Sequence, residues 1–286
     1  MRPSTFSIVA ADRATGEVGV AVQSKFLSVG AAVPWVAADA GAVATQAWAN
    51  TTYGPRGLQL MRDGVAPERV IALLGEDDSQ RADRQVGLVG RDGRAATFTG
   101  ERCMEWAGGE LGDGFAAQGN ILAGPDVVAA MSRTFAGATG SLADRLLAAL
   151  RAGQRAGGDR RGQQSAALLI AKPGGGYGGF NDRYVDLRVD DHAQPIEELA
   201  RLLDLHKLYF FAAQASDVLT VDVALGAEIA RLLESAGELP KGAVYDDVAR
   251  TALLRFMHRE NLENRVRDDG TIDRQTLGYL RNFVSG

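Results

Sequence analysis

The chain has 286 residues, a formal net charge of −5 and an isoelectric point near 5.3. This balance excludes a global basic surface, so we expect no nucleic-acid partner. Its single cysteine, Cys103, excludes an intramolecular disulfide and a thiolate metal cluster. No apolar run reaches the roughly 18 residues of a membrane span, and no signal peptide is recognisable, which predicts a cytoplasmic protein without membrane contact.

Predicted strands dominate the start of the chain. Thr5–Ala11 and Glu17–Ser24 alternate on either side of the turn-forming segment Asp12–Gly16, which is typical of an N-terminal hairpin. Two further apolar stretches, Ala31–Ala38 and Gly41–Trp48, predict a third and a fourth strand. The chain therefore begins with a sheet, and Thr5 stands at the head of its first strand.

Helices and strands alternate in the next part of the chain. One helix is predicted from Pro55 and another from Pro67 to Gly75, because proline is favoured in the first helical turn. Arg84–Gly90 and Arg94–Thr99 flank a turn that ends in Asp-Gly, which predicts a hairpin. More sheet is therefore expected after the first helix pair.

A second helix pair and a last strand pair complete a large domain. Apolar spacing predicts helices over Asp126–Phe135 and Leu142–Ala152, the second with Ser141 as its N-cap. Gln164–Lys172 and Tyr184–Val189 predict two strands joined by a glycine-rich loop. This segregation of strand pairs and helix pairs predicts an α+β domain with two stacked sheets inside and helices outside.

The last part of the chain predicts a small all-α module. We expect the boundary to divide the chain into residues 1–207 and 208–286. Amphipathic patterns predict three helices in the second part, at Asp222–Ala236, Asp246–Glu263 and Asp273–Phe283. No strand is predicted there.

Several short blocks of sequence resemble one protein family. In chain order they are Thr5–Ala10, Ser24–Phe26, Gly41–Ala47, Asn50, Tyr53–Gly57 and Gln118–Gly124. These blocks are similar to those of the domain-of-unknown-function-1028 family, which is grouped with the N-terminal-nucleophile (Ntn) hydrolases. The resemblance implies the four-layer αββα sandwich of that superfamily.

The end of the chain resembles a second family. Glu260–Glu263 and Thr271–Asp273 are similar to segments of the peptidoglycan-binding-like module that often follows such a domain. This resemblance implies a muropeptide as a candidate partner. The same apolar helix faces could equally dock onto the main domain or onto a second subunit, and a homo-oligomer is our default expectation.

Thr5 is the candidate nucleophile for cleavage of a small or peptide-like amide. A threonine hydroxyl needs a base, and a threonine at the chain terminus supplies its own α-amine, with an ordinary pKa of about 7.7 to 8.0. Residues 1–4 precede Thr5, so this chemistry requires their removal. In the alternative, Thr5 is only a β-favouring residue, and the protein is a non-catalytic scaffold that binds a ligand or a cell-wall fragment.

Other polar residues near predicted strand ends could complete such a site. Lys25 would lower the pKa of the amine by charge repulsion, and Ser24 would hydrogen-bond the amine. The remaining candidates are Asn50 and Asn120 as oxyanion donors, Gln46 and Gln118 as substrate-binding amides, and Arg161 as a carboxylate clamp. Each also has an ordinary interpretation as a solvated strand end or a turn residue.

No motif predicts a metal or another cofactor. Asp182, Asp186 and Asp190 share one strand face, which could suit a hard cation but is more typical of a charged outer face. The three histidines lack paired metal-ligand spacing, and the glycine-rich loop at residues 174–179 lacks the lysine of a phosphate-binding loop. Cys103 has no histidine nearby in the sequence, which favours a small semi-buried residue over a nucleophile.

Overall fold

The computed structural model describes residues 5–213 and 215–285. The chain divides into two compact units, Met1–Leu203 and Asp204–Gly286. Up to residue 210 the strands and helices are β1 (Thr5–Asp12), β2 (Glu17–Ser24), β3 (Pro34–Ala37), β4 (Gly41–Ala47), α1 (Tyr53–Arg62), α2 (Pro67–Glu76), β5 (Arg84–Gly90), β6 (Ala95–Thr99), β7 (Gly108–Gly112), β8 (Phe115–Asn120), α3 (Asp126–Gly137), α4 (Leu142–Arg155), β9 (Ser165–Ala171), β10 (Arg183–Val189) and α5 (Pro195–Phe210).

The larger sheet has the strand order β10-β9-β2-β1-β8-β7, and every pair in it is antiparallel. β1 is an interior strand, paired with β2 on one side and with β8 on the other. In this register Thr5 is opposite Ser24 on β2 and opposite Asn120 on β8. The first residue of β1 therefore has a polar neighbour on each side.

The smaller sheet has the order β3-β4-β5-β6 and is also antiparallel. Its β5–β6 hairpin confirms the hairpin predicted around the Asp-Gly turn. The sequence does not predict β7 and β8, because β7 (Gly-Gly-Glu-Leu-Gly) lacks the β-branched and aromatic residues that favour strands. Gln118 and Asn120 lie in β8, so the ordinary interpretation of Asn120 as a turn residue in a loop is wrong.

An apolar cluster fills part of the space between the two sheets. Since strand residues alternate between faces, every second residue of each strand points toward the facing sheet. The larger sheet contributes Val9 and Val20 to this cluster, and the smaller sheet contributes Ala44 and Val89. Closer to Thr5, the residues of these strands that point toward the facing sheet are polar.

Helices cover the outer face of each sheet. Met131 of α3 and Leu146 of α4 belong to the same buried cluster as Phe6 of β1. Leu74 of α2 belongs to a separate buried cluster with Leu88 of β5. The fold is therefore mixed α and β, with antiparallel sheets and helices on their outer faces.

Two helix starts confirm the sequence predictions. Pro67 is at the first turn of α2, where its missing N–H costs nothing. Ser141 caps α4, and its Oγ accepts a hydrogen bond from the N–H of Asp144 at 3.2 Å. None of the described helices is long and apolar enough to cross a lipid bilayer.

The second unit is mainly helical. After α5 it contains β11 (Val218–Thr220), α6 (Val223–Ser235), α7 (Asp247–Arg259), β12 (Thr271–Asp273) and α8 (Arg274–Phe283). β11 and β12 pair as a short antiparallel ladder, so the prediction of an all-α module is wrong in this respect. Each strand has three residues, too few to show the alternation of apolar and polar residues that predicts a strand. The two strands are also far apart in the chain, so no turn between them signals their pairing.

A buried ion pair organises the end of this unit. Nη1 of Arg265 is 2.8 Å from Oδ1 of Asp273, and both side chains are almost completely buried. The same Asp273 oxygen accepts hydrogen bonds from the backbone N–H groups of Gln275 and Thr276 and so caps α8. The pair thereby joins the short sheet to the last helix.

Candidate active site

Thr5 begins β1 in a buried polar environment. The residue is 1% exposed, and its Oγ1 donates a hydrogen bond to Oγ of Ser24 at 3.2 Å. Its carbonyl oxygen accepts a bond from Nε2 of Gln46, on the facing sheet, at 3.3 Å. The structure therefore brings together three residues that the sequence predicts as site residues.

A chain of buried side-chain hydrogen bonds continues from there into the space between the sheets. Nε2 of Gln118 donates to Oγ of Ser7 at 2.7 Å, and this hydroxyl donates to Oε1 of Gln46 at 2.6 Å. Oε1 of Gln85 accepts from Nε2 of Gln46 at 2.8 Å and from Nδ2 of Asn120 at 2.9 Å. We name these five residues, each at most 1% exposed, the polar network.

Gln85 and Ser7 are the two members of the polar network that are not among the predicted site residues, and Gln85 makes the larger number of contacts. Nε2 of Gln85 donates to Oγ1 of Thr99 at 2.8 Å and to the carbonyl of Gly119 at 2.7 Å, so this residue links the smaller sheet to β8. A glutamine directly before the apolar run Val86–Val89 of β5 is a signal that could have identified Gln85. Most buried polar side-chain atoms have a hydrogen-bond partner, so its position in that strand indicates a facing polar group.

Gly87, two residues further along β5, makes room for this arrangement. A Cβ atom at Gly87 would lie only 2.1 Å from Oε1 of Gln118. Within residues 5–213 and 215–285, this oxygen has no hydrogen-bond partner. The missing side chain of Gly87 therefore leaves space for an amide whose acceptor is unused.

Two strained backbone positions lie beside the polar network. Ala47 has a φ of 66° and Ile121 a φ of 53°, a region that residues with side chains rarely adopt and that is least favourable for β-branched ones. Both line a cavity of about 10 Å³ together with Asn120, and one water molecule needs about this volume. The cavity is also lined by Trp48, Asp83, Arg102, Cys103 and Met104.

Backbone strain of this kind persists only where the surrounding structure enforces it, and it clusters at functional sites. Ile121 directly follows Asn120, which is opposite Thr5 in the sheet. Ala47 directly follows Gln46 at the end of β4. The strained residues, the cavity and the first residue of β1 therefore occupy one end of the space between the sheets.

Asn50 belongs to a separate cluster built on a buried ion pair. Nε of Arg84 lies 2.8 Å from Oδ2 of Asp78, and the two side chains are 7% and 9% exposed. Asn50 Nδ2 and the Tyr53 hydroxyl donate to the same carboxylate oxygen at 3.3 and 2.9 Å. Arg84 also donates to the carbonyl of Trp48, so this cluster fixes the segment that follows β4.

The charges of this cluster shift two pKa values in opposite directions. Hydrogen bonds from the Arg84 guanidinium, which outweigh the effect of burial, hold the pKa of the Asp78 carboxyl well below its ordinary value. Burial, reinforced by the neighbouring Asp78 carboxylate, raises the pKa of the Tyr53 phenol. The pair is therefore ionised and the phenol neutral at physiological pH.

Lys25 and Arg161 meet at a third position, around Asp159. Oδ2 of Asp159 accepts from the backbone N–H of Lys25 at 2.9 Å and from Nη2 of Arg161 at 3.1 Å. The exposed Lys25 side chain donates from Nζ to the carbonyl of Gln163 at 3.2 Å. Within the described part of the chain, no hydrogen bond joins Lys25 Nζ to Thr5.

The acidic residues near β10 have separate partners. Oδ1 of Asp182 accepts from the backbone N–H of Gly174 at 3.0 Å, and Asp186 pairs with Arg188 at 2.9 Å and with Arg183 at 3.2 Å. Among the described residues, no group of three or more His, Cys, Asp or Glu side chains is arranged to hold a metal ion.

Neutral hydrogen-bond donors dominate the end of the sheets where Thr5 lies. A buried hydroxyl, a second hydroxyl in contact with it and several amide N–H groups are the groups that acyl transfer needs for attack and for stabilisation of a developing oxyanion. The arrangement can therefore support nucleophilic chemistry on a carbonyl group.

Known proteins match both parts of the chain. The sequence model described as "Family of unknown function (DUF1028)" matches residues 5–199, and the one described as "Putative peptidoglycan binding domain" matches residues 214–280. Among solved structures, the crystal structure of protein SPO2555 from Silicibacter pomeroyi, described with the same DUF1028 family, is similar with 34% identity and a TM-score of 0.66. That match covers 73% of this chain and 91% of that chain.

No curated protein matches the chain. Both family resemblances recognised in the sequence are confirmed by these matches. Since the DUF1028 model spans most of the chain, from the first residue of β1 into α5, this protein belongs to the DUF1028 family.

Proposed function

We propose that this protein is an amidohydrolase of the N-terminal-nucleophile type, in which Thr5 cleaves an amide bond of a small or peptide-like substrate. The observation that carries the proposal is the position of Thr5, buried at the head of an interior strand with its Oγ1 3.2 Å from Oγ of Ser24. The proposal requires the removal of residues 1–4, which lie outside the described residues. Two facing sheets with helices on their outer faces support the four-layer αββα sandwich of this enzyme type.

The reaction proceeds through an ester on Thr5. The freed α-amine accepts the hydroxyl proton while Oγ1 attacks the substrate carbonyl carbon. The tetrahedral intermediate collapses, the C–N bond breaks, and the leaving amine takes the proton from the Thr5 ammonium group. A water molecule, deprotonated by the same amine, then hydrolyses the ester, restores the hydroxyl and releases a carboxylic acid.

The other predicted site residues have different roles in this reaction. Ser24 orients the Thr5 hydroxyl, and Asn120 is the preferred oxyanion donor because it lines the cavity beside Thr5. Asn50 is a weaker candidate for that role, since it belongs to the separate cluster around Asp78 and does not line this cavity. Gln46 and Gln118 hold the substrate amide or the Thr5 backbone.

Two charged residues act from further away. Lys25 lowers the pKa of the Thr5 amine through like-charge repulsion once its Nζ leaves the carbonyl of Gln163. Arg161, which pairs with Asp159 and is 29% exposed, binds a carboxylate of the substrate in this scheme. No metal or other cofactor enters this scheme.

The intact mass of the purified protein tests the first requirement. We expect a mature chain that begins at Thr5, and a variant with residues 2–4 deleted should reach the same state after removal of Met1. Release of amine from a panel of N-acyl amino acids and short peptides is then expected for both proteins. Activity should be lost in Thr5→Ala and partly kept in Thr5→Ser, because serine preserves the nucleophilic hydroxyl.

The matched control is Thr15→Ala, at the exposed tip of the β1–β2 hairpin, which should leave activity unchanged. Intact residues 1–4 together with undiminished activity in Thr5→Ala would sink the proposal.

A second candidate is a non-catalytic scaffold that binds a ligand or a cell-wall fragment. The match of residues 214–280 to a peptidoglycan-binding-like domain favours it. This function needs no processing, so it predicts labelled muropeptides bound by a full-length chain that keeps residues 1–4. Absence of binding at about millimolar ligand, the weak end of specific affinities, would remove it.

A homo-oligomer and a cytoplasmic location remain predictions. Light scattering on the eluting peak of a sizing column gives the mass of the assembly, and a monomer mass at all concentrations would contradict the first. Fractionation of cells that express the natural chain tests the second.

A further inference from the structure

The second unit contains a cavity of about 120 Å³ that the proposed amidohydrolase function does not use. It lies between α7 and the segment that leads into β12. An engineered cavity of about 150 Å³ holds a benzene molecule, so this one accommodates a small group of a few heavy atoms. Its lining residues combine an apolar wall with charged groups at the rim.

One face of α7 forms the apolar wall. Leu253, Leu254 and Met257 follow Arg250 at spacings of three, four and seven residues, so all four lie on the same side of the helix. Ile272 of β12 closes the opposite side. A small apolar side chain is the group that such a wall would bind.

The three arginines that line the cavity differ in how their charges are satisfied. Arg265 is fully engaged with Asp273 and with the carbonyl groups of Leu208 and Lys207, so its role is structural. Arg267 donates from Nη2 to Oδ2 of Asp269 at 2.6 Å.

Arg250 has a weaker ion pair. Its Nη1 lies 3.7 Å from Oδ1 of Asp247, beyond hydrogen-bond distance, and the Asp247 side chain is fully exposed. Arg250 is itself exposed, and its charge opposes the rise that burial causes in the pKa of the neighbouring Tyr245, another lining residue. Arg250 is therefore the guanidinium most available to an anion at this cavity.

We propose that this cavity binds the C-terminal residue of a short peptide, with the free carboxylate on Arg250 and a small apolar side chain against α7. A guanidinium pairs with a carboxylate through two parallel hydrogen bonds, which gives both strength and orientation. The exposed Asp268 at the rim disfavours anions in general, so the apolar contact is needed for selection. The proposal does not depend on Thr5.

The test uses the full-length protein, labelled with ¹⁵N, and two probes that differ only at the carboxyl group: N-acetyl-alanyl-alanine and its C-terminal amide. We expect the acid to shift the backbone signals of residues around the cavity, and the amide to bind about tenfold more weakly, since a hydrogen bond to a charged group is lost. Equal affinities of acid and amide, or shifts confined to other parts of the protein, would overturn the proposal.

Arginine variants test which side chain binds the carboxylate of the peptide. Arg250→Gln should weaken binding of the acid about tenfold and leave binding of the amide unchanged. The matched control is Arg255→Gln, because Arg255 is an exposed arginine of the same helix that does not line the cavity. An equal loss in both variants would show that overall charge, and not the site, governs binding.

The source of the peptide is distinguished by chirality. The same dipeptide in its D,D and L,L forms separates a cell-wall peptide from an ordinary protein terminus. Preference for either form supports the carboxylate site and names its source, whereas binding of neither form at about 10 mM, weaker than any useful affinity, contradicts the proposal. Thr5→Ala should bind both probes as the natural chain does, so this test and the test of the hydrolase fail independently.

Discussion

The space between the two sheets is apolar at one end and polar at the other, although the same strands line both ends. β1 contributes Val9 to the apolar end and Ser7 to the polar end, and β4 contributes Ala44 and Gln46 in the same way. Both ends are fully buried. Apolar burial stabilises by about 25 cal/mol per Å², whereas a buried amide adds little on balance and costs free energy when a partner is missing. The polar end is the less stabilising way to fill the same space, which is why we assign function to it.

The largest effect is expected in the separate buried cluster around Arg84, the residue that directly precedes Gln85 of the polar network. Arg84→Met keeps much of the side-chain volume but leaves the Asp78 carboxylate buried without its guanidinium, which should lower the free energy of unfolding by about 3–5 kcal/mol. Urea denaturation measures this loss. Arg94→Met is the control, because the pair of Arg94 with Asp92 is exposed and should contribute less than about 1 kcal/mol. Similar losses in both variants would contradict a structural role for the buried pair.

A smaller loss is expected inside the polar network. Ser7→Ala removes the hydroxyl that joins Gln118 to Gln46 and leaves a buried donor and a buried acceptor unpaired. We expect the free energy of unfolding to fall by about 2–3 kcal/mol. Ser79→Ala, at an exposed serine, should change it by less than about 0.5 kcal/mol. If Ser7→Ala is as stable as this control, the two ends of the space do not differ as described.

Gly87 allows a test of packing within the polar end. Gly87→Ala would place a methyl group against the amide of Gln118 and should cost about 1–2 kcal/mol. Gly124→Ala is the control, since nothing lies within 4 Å of the Cβ position there. The double variant with Gln118→Ala should recover part of the loss, and additive losses would show that the clash lies elsewhere.

The smallest effect is a dependence of stability on pH that separates the buried Arg84–Asp78 pair from the neutral polar network. The pKa of Asp78 is lowered in the folded protein, so its contribution to stability is present above the ordinary carboxyl pKa of about 4 and is lost as the pH falls below it. Arg84→Met should show a shallower loss in acid than the natural chain, because the main cause of the shift is gone. Ser7→Ala should keep the natural slope, since amides and hydroxyls do not titrate in this range. Equal slopes for the natural chain and Arg84→Met would contradict this assignment.

Much of the fold follows from local patterns in the sequence. The hairpin that starts at Thr5, the Pro67 and Ser141 helix starts and the β5–β6 turn depend on neighbouring residues, and each is predicted correctly. β11 and β12 are not predicted from the sequence, because each has only three residues and the two are distant in the chain.

The residues of the candidate site also fall into two groups, those whose positions follow from local sequence and those whose positions depend on the packing of distant segments. Ser24 is close to Thr5 because the β1–β2 hairpin fixes its register, which the sequence indicates directly. Gln85 is opposite Gln46 in the smaller sheet and reaches Asn120 through the stacking of the two sheets, and no local spacing in the sequence predicts either contact. Lys25 directly follows Ser24 in the chain, yet its side chain bonds to Gln163, because the end of β2 turns it toward that loop.

The polar network also has a direction. Gln118 donates to Ser7, Ser7 to Gln46, Gln46 to Gln85 and Gln85 to Thr99, so every link points the same way. Rotating Gln46 or Gln85 by half a turn would set its amide oxygen against a backbone carbonyl oxygen, of Thr5 or of Gly119, so these carbonyls fix the direction of the chain. Such a chain polarises each of its members. The side-chain N–H protons of Gln46 and Gln85 should therefore exchange with solvent slowly and at a common rate, as one collective unit within the protein.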